Sequence, residues 1–455
     1  MSGFSKDFVW GAATASYQVE GAAFEGGKSL NIWDVFSHEE GKVYDNQNGD
    51  VSCDQYHRFP EDIAIMKSLG IQAYRFSVSW ARILPNGTGK INPEGLAYYD
   101  ALVDALLAAG ITPYMTLYHW DLPYALHLRG GWLNPEIAEW FYEYAKLIGT
   151  HFKGRVKNYF TINEMHCVLG LGYYRGLHAP GLKVGKRDFF QIWKNLLLAH
   201  GYAVKALRET STSDTRISYA ANGGIFSPAS DAAEDIEAAK QLSFEVLSDD
   251  LEVASWNPAL TSDPIFLGQL PKGLAEHFGQ WLPPISREEF HLISQPLDFY
   301  AHNIYNSHLA RLGAGGVPEV VGFRPGAART ANYWPVTPGA LYWAPKFLYE
   351  RYGKPIVISE NGMSSHDALS LDGKVHDPNR EDFLHRYLLE YRRAAEDGVD
   401  LRGYFEWSLL DNFEWAEGYR ERFGIVYVDY ATQQRIPKDS AYFYKKIIET
   451  NGACL

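Results

Sequence analysis

Cysteine is scarce: Cys53, Cys167 and Cys454 are three thiols in a chain of 455 residues. They are widely spaced, odd in number and show no metal-ligand pattern. That excludes a disulfide scaffold and points to reduced thiols in a cytoplasmic protein. No run of about 18 uninterrupted apolar residues occurs, so no transmembrane helix is expected. Met1 to Trp10 carry Lys6 and Asp7 and lack a long apolar stretch before a small-residue cleavage site, so no signal peptide is expected either. Basic blocks are missing, and the formal net charge is −13. Nucleic acid and anionic membrane surfaces are therefore poor partners. No Gly/Ser-rich or Pro-rich linker, tandem repeat, low-complexity tract or heptad run divides the chain. Residues 1–455 read as a single domain, because α/β barrels commonly exceed average domain length. The loosest segment, Gly313–Gly339, reads as a long loop.

Aromatic residues, by contrast, are abundant, with 30 Tyr and 13 Trp. Most such rings build cores. Their flat faces and polar edges also suit the C–H faces and hydroxyls of sugar rings.

One local pattern recurs along the chain. An amphipathic segment ends at a glycine and a strand-like run follows at once, at Leu69-Gly70, Ala109-Gly110, Lys153-Gly154, Tyr352-Gly353 and Asp397-Gly398. Glycine after a helix adopts the left-handed conformation without a Cβ clash. Asn92-Pro93 and Asn134-Pro135 predict helix starts, with Asn as cap and Pro at the first helical position. After Pro135, Ile137, Phe141, Ala145 and Ile148 share one helical face.

The strand-like runs are 8–15, 73–80, 113–120, 156–164, 217–222, 297–305, 355–360 and 401–409. Their alternation with helical segments predicts a parallel sheet, and eight of them predict one closed (β/α)8 TIM barrel with long βα loops forming an active-site rim. Barrel sites gather at the C-terminal ends of strands. Those ends are polar here: Arg75, His119, Asn163, Glu164, Asn222, Asn303, Glu360 and Trp407. Glu164 and Glu360 close the fourth and seventh runs, so they can face each other across the barrel mouth. A single Glu is usually a surface charge. Two at strand ends fit glycoside hydrolysis, one protonating the departing oxygen and the other attacking the anomeric carbon or activating water.

Taken together, the motifs resemble glycoside hydrolase family 1, the β-glucosidase family, over essentially the whole chain. The stretch from Phe8 to Gly21 is similar to the N-terminal signature. Tyr74 to Trp80, His119 to Pro123, Asn163-Glu164, Ser359 to Gly362 and Trp407 to Trp415 follow in the family's order. The resemblance implies Glu164 as acid/base and Glu360 as nucleophile, at the separation of about 5–5.5 Å typical of retaining enzymes. It implies Arg75 beside the nucleophile, where a cation lowers a carboxylate's pKa, and Tyr305 hydrogen-bonded to it. Asn163 is implied at the sugar 2-hydroxyl. Gln18, His119, Asn303, Glu414 and Trp415 are implied as further glycone contacts, Trp407 as the platform under the ring and Trp334 as the aglycone wall. No metal and no cofactor is implied, and the partner is a β-glucoside or cello-oligosaccharide. Oligomeric state is not fixed by the sequence.

Without the family context, His119 also reads as a buried satisfied histidine, Trp407 as core and Arg75 as a structural ion-pair partner. One departure stands out: the family commonly has proline after the acid/base, whereas here Met165, His166 and Cys167 follow Glu164. Proline would stiffen the loop, so Met165 is expected to change the path near the aglycone. His166-Cys167 are adjacent, which is not a metal-ligand spacing. β-Galactosidase, β-fucosidase and transglycosylating activities stay open as alternatives in the same site. A 6-phospho-β-glycosidase is disfavoured because Glu414 would repel a phosphate dianion. A catalytically inactive sugar-binding barrel predicts a missing carboxylate, and both are present.

Overall fold

The computed structural model describes residues 3–455; Met1 and Ser2, where the reading of the N-terminus began, lie outside the described residues. Eight parallel strands close into a barrel. They are β1 (Val9–Ala13), β2 (Ala73–Ser77), β3 (Thr112–Tyr118), β4 (Asn158–Asn163), β5 (Arg216–Ala221), β6 (Tyr300–Asn303), β7 (Ile356–Asn361) and β8 (Leu401–Trp407). Each pairs with its neighbours in sequence, and β8 returns to β1 in register Gly11 opposite Phe405. Each predicted run overlaps one strand; the third and fifth strands begin one residue earlier, at Thr112 and Arg216, and the seventh ends one residue later, at Asn361. The fourth run stops at Asn163 because Glu164 turns to φ 47°, the left-handed region, which a strand cannot continue through.

All five predicted glycine stops have positive φ, from 62° at Gly353 to 92° at Gly398. Ile137, Phe141, Ala145 and Ile148 are all fully buried along the helix Ile137–His151. The two predicted asparagine caps fare differently. Asn134 Oδ1 accepts from the Glu136 N–H at 3.0 Å, just ahead of that helix. Asn92 precedes the helix Pro93–Ala108 but does not cap it with its side chain. Its amide instead donates to the carbonyls of Gly26 and Arg82 at 2.7 and 2.9 Å. The orientation that these tertiary carbonyls impose on the amide leaves its oxygen off the helix N–H donors.

Aromatic side chains fill the barrel interior. A Cβ on Gly11 would lie 2.4 Å from the Phe405 ring, so this strand position must be glycine for Phe405 to fit. Tyr114 meets Phe405 with ring centroids 4.9 Å apart and also approaches Phe160. The Arg75 guanidinium rests over Phe160, 4.9 Å from its centroid. This plug is the floor on which the polar strand ends stand. Both carboxylate-bearing strands shift register just before their ends, β4 between Phe160 and Asn163 and β7 between Ile358 and Glu360. Bulges of this kind re-aim side chains.

The long segment between β6 and β7 is not wholly irregular. Strands Leu309–Leu312 and Pro318–Val321 form an antiparallel hairpin, joined by Ser227–Pro228 into a small three-stranded sheet separate from the barrel. Trp334 lies beyond it. Among the described residues no helix is long and apolar enough to cross a membrane.

Candidate active site

A cavity of about 410 Å³ opens at the C-terminal ends of the strands. Glu164, Glu360, Asn163, His119, Asn303, Tyr305, Trp407, Glu414, Trp415 and Trp334 line it. Of the non-glycine residues with positive φ, Trp120, Glu164 and Trp415 belong to its wall, and Tyr333 adjoins it. Sparsely populated backbone conformations of this kind cluster at functional sites.

Glu360 is held at both oxygens. Arg75 Nη1 donates to Oε1 at 2.6 Å and the Tyr305 hydroxyl donates to Oε2 at 2.6 Å. Arg75 is fully buried beneath the cavity, so its charge is poorly screened by water. Burial nevertheless dominates and raises the Glu360 pKa above the ordinary carboxylate value, with Arg75 and Tyr305 opposing. Arg75 lowers the pKa as expected, but desolvation of a 3 % exposed carboxylate outweighs that one cation.

Glu164 lacks a cationic partner. Asn303 Nδ2 donates to Oε1 at 2.7 Å and the Cys167 thiol donates to Oε2 at 2.9 Å. Burial, then the charge of Glu360, pushes its pKa up to about 7. With Arg75 on one carboxylate and only neutral donors on the other, Glu360 is the first of the pair to ionise.

Arg75 also orders its neighbours. Its Nη2 donates to Asn163 Oδ1 at 2.5 Å. That fixes the amide, so Asn163 Nδ2 faces His119 Nε2 at 3.0 Å and must be the donor. His119 then carries its proton on Nδ1, which has no protein partner. Burial and Arg75 hold its pKa well below the usual histidine value, so the ring is neutral and presents one free N–H. Its ring lies between those of Trp407 and Trp415, at centroid distances of 5.8 and 5.9 Å.

Gln18 is fully buried and stands one layer behind the wall. Its amide donates its two hydrogens to Asn412 Oδ1 at 3.0 Å and the Phe413 carbonyl at 2.9 Å, with Glu414 Oε2 farther off at 3.4 Å. Its Oε1 is left without a protein partner. Glu414 is half-buried, and its pKa is raised well above the ordinary value by burial and then by the charges of Glu360 and Glu421. Trp334 is 37 % exposed at the rim, packed on Tyr305 at 5.1 Å and on Phe423 at 6.0 Å.

Met165 is fully buried and not part of the wall. The chain turns into a short helix at Met165–Cys167 and a π-helix at Val168–Tyr174. Near-helical spacing then brings Cys167 and Leu171, not Met165, to the Glu164 side. His166 faces away and bonds Asn222 Oδ1 and the Asn257 carbonyl, both at 2.9 Å. Cys167, Leu171, Trp120, Trp256, Glu417 and Glu421 are wall residues that the sequence reading did not assign to the site. For Cys167 the signal was its position three residues after Glu164. Among the described residues no cluster of His, Cys, Asp and Glu could hold a metal ion.

Comparison with known proteins places this geometry in context. The model of the family described as glycosyl hydrolase family 1 matches residues 1–453. Beta-glucosidase A of Thermotoga maritima is 44 % identical over 99 % of this chain and 98 % of its own length. Beta-glucosidase A of Acetivibrio thermocellus is 45 % identical over 99 % of both. The solved structure of the Thermotoga maritima β-glucosidase in complex with glucoimidazole superposes with a TM-score of 0.90 at 44 % identity, covering 99 % of this chain and 100 % of that one.

Proposed function

This chain belongs to glycosyl hydrolase family 1, and from that premise we propose that it is a retaining β-glucosidase with Glu360 as nucleophile and Glu164 as acid/base. The whole chain acts as one catalytic domain. Its substrates are terminal non-reducing β-glucosyl residues of cello-oligosaccharides or of aryl and alkyl glucosides. Three free thiols, two of them buried, suit a cytoplasmic setting.

The carrying observation is the unequal dressing of the two carboxylates. Arg75 and Tyr305 hold Glu360 ready as an anion. Burial and the charge of Glu360 keep the proton on Glu164 near pH 7, and the neutral donors Asn303 and Cys167 oppose them only in part. In the first step a Glu360 oxygen attacks the anomeric carbon, and the Glu164 proton moves to the departing oxygen as the glycosidic bond breaks. Ester formation removes the charge on Glu360. That charge is the second cause of the raised Glu164 pKa, so Glu164 becomes the stronger acid and remains ionised to act as base on water. Water then releases glucose with its β configuration and returns the proton to Glu164. The chemistry needs only carboxylates and water.

Recognition follows the same geometry. The free His119 N–H, the orphaned Gln18 Oε1 and the Glu414 carboxylate meet glycone hydroxyls, Asn163 meets the 2-hydroxyl, and Trp407 carries the ring. Trp334, Leu171 and Trp256 form an apolar wall for the aglycone. Glu414, Glu417 and Glu421 crowd three carboxylates into the loop after β8, which disfavours a 6-phosphorylated sugar.

A panel of aryl β-glycosides, read by NMR for the anomer formed first, tests this reading. β-Glucose should appear first from the β-glucoside, and the 6-phosphoglucoside should be a far poorer substrate. An α-product formed first would exclude retention.

A further inference from the structure

On β8, the residue before Trp407 is a glutamate on the outer face of the barrel. Glu406 is fully buried between the barrel wall and the helix layer. It takes no part in the chemistry above. Its surroundings contain too few hydrogen-bond donors for a carboxylate.

The shortage can be counted atom by atom. Asn361 Nδ2 donates to the Ile304 carbonyl at 2.7 Å, which fixes that amide and turns Asn361 Oδ1 toward Tyr404. Tyr404 Oη stands 2.8 Å from Asn361 Oδ1 and 2.8 Å from Glu406 Oε2. A tyrosine has one hydroxyl hydrogen. If Tyr404 gives it to ionised Glu406, Asn361 Oδ1 is left buried with no donor. If Tyr404 gives it to Asn361, Glu406 must supply a hydrogen of its own to Tyr404 Oη. Only a protonated Glu406 satisfies all three groups. Buried polar groups are satisfied as a rule.

No other neighbour can relieve the shortage. The titratable and charged groups facing Glu406 are Tyr404 on its own strand, Tyr444 on the helix Asp439–Glu449, and Arg380 with Asp377 at the start of the helix Pro378–Glu396. Tyr444 gives its hydrogen to the Gly11 carbonyl at 2.7 Å. Arg380 commits its terminal nitrogens to Asp377, Asp367 and the Arg422 carbonyl, and its Nε, which has no protein partner, makes no hydrogen bond or ion pair with Glu406. Glu406 Oε1 has no partner at all.

The chain of bonds ends beneath the active site. Ile304, whose carbonyl Asn361 holds, also donates its own N–H to the Glu360 carbonyl at 2.9 Å. It lies between Asn303, which binds Glu164, and Tyr305, which binds Glu360. We propose that Glu406 is a positioning residue that works as a neutral carboxylic acid, completing through Tyr404 and Asn361 the hydrogen-bond chain that fixes the backbone carrying Asn303, Tyr305 and Glu360. Ionisation of Glu406 breaks the chain at Asn361 and loosens both partner side chains together.

Burial raises the Glu406 pKa to about 8, in agreement with the count. The unfolded chain releases this proton in the ordinary carboxylate range, and the folded protein keeps it to about pH 8. The folded state therefore binds the extra proton between those limits. Raising the pH through that window removes stability, and the loss levels off above it.

Glu406→Gln tests the inference, because the glutamine amide can donate to Tyr404 Oη as the neutral acid does and cannot ionise. Melting temperatures should match at pH 5, with the variant pulling ahead to about 3 °C above wild type at pH 9. A difference that does not grow with pH, or a variant less stable than wild type at pH 9, would overturn the proposal. A second arm rests on the reading of Glu164 and Glu360 given above. Cleavage of 2,4-dinitrophenyl β-glucoside needs no acid assistance, so its kcat/KM reports the nucleophile side alone. Glu406→Gln should exceed wild type by about threefold at pH 9 and equal it at pH 6. Tyr404→Phe removes the central hydroxyl and should abolish the pH-dependent activity difference while the melting difference, which burial of Glu406 causes, remains; survival of the activity difference in that background would also overturn the proposal. If no glucoside is turned over, the melting arm still decides the role of Glu406.

Discussion

The Cys167 thiol donates to Glu164 Oε2 at 2.9 Å, while Asn303 occupies Oε1. A donor on a carboxylate favours its charged form, so Cys167 restrains the rise of the Glu164 pKa. Removing it by Cys167→Ala should raise that pKa and move the alkaline limb of kcat/KM to higher pH than the wild-type limb near pH 7. Cys167→Ser keeps a donor and should return the limb toward wild type. A pH–rate profile of the three enzymes decides it. An unmoved limb in Cys167→Ala would show that the thiol only packs.

Glu164→Gln removes the transferable proton and leaves the shape. Substrates with poor leaving groups should lose roughly 10²–10⁴-fold in kcat/KM. Dinitrophenyl glucosides should form the glycosyl-enzyme almost normally and then stall. Azide, which needs no base, should restore turnover and yield a β-glycosyl azide. Equal losses on all leaving groups would contradict the acid role.

Trp334 sits at the cavity rim, away from the carboxylates, with its ring packed on Tyr305. Trp334→Ala should raise KM for cellobiose by about tenfold with kcat largely kept, the signature of lost uniform binding. A large fall in kcat on dinitrophenyl glucoside would instead show that Trp334 serves Tyr305 and the nucleophile.

The barrel was legible because two strong physical signals repeat. Glycine at a left-handed helix stop, as at Gly70 and Gly353, has few alternatives, and each stop is followed by a run that must be strand. The polar strand ends were legible because polar side chains are rare at buried strand termini without a task. What escaped depends on tertiary partners. Asn92 reads as a cap, yet its amide is drawn to Gly26 and Arg82. Gln18 reads as a sugar contact, but the sequence does not show that the loop around Asn412 holds its amide nitrogen and leaves only Oε1 free. The register shifts before Asn163 and Glu360 leave no mark in the alternation of residues. Met165 drew attention as a departure, but near-helical geometry gives the wall to Cys167 and Leu171. Nothing in the sequence distinguishes Glu406 from its strand neighbours, because its shortage of donors arises from Tyr404 and Asn361 in the folded chain.

In the proposed mechanism a Glu360 oxygen forms the covalent bond to the sugar. Treatment with 2-deoxy-2-fluoro-β-glucosyl fluoride, followed by proteolysis and mass spectrometry, tests that most directly. The account predicts a single fluoroglucosyl adduct on the peptide containing Glu360, formed in step with loss of activity and absent from Glu360→Gln. An adduct on another residue, or an enzyme that hydrolyses β-glucosides while Glu360→Gln remains active, would contradict it.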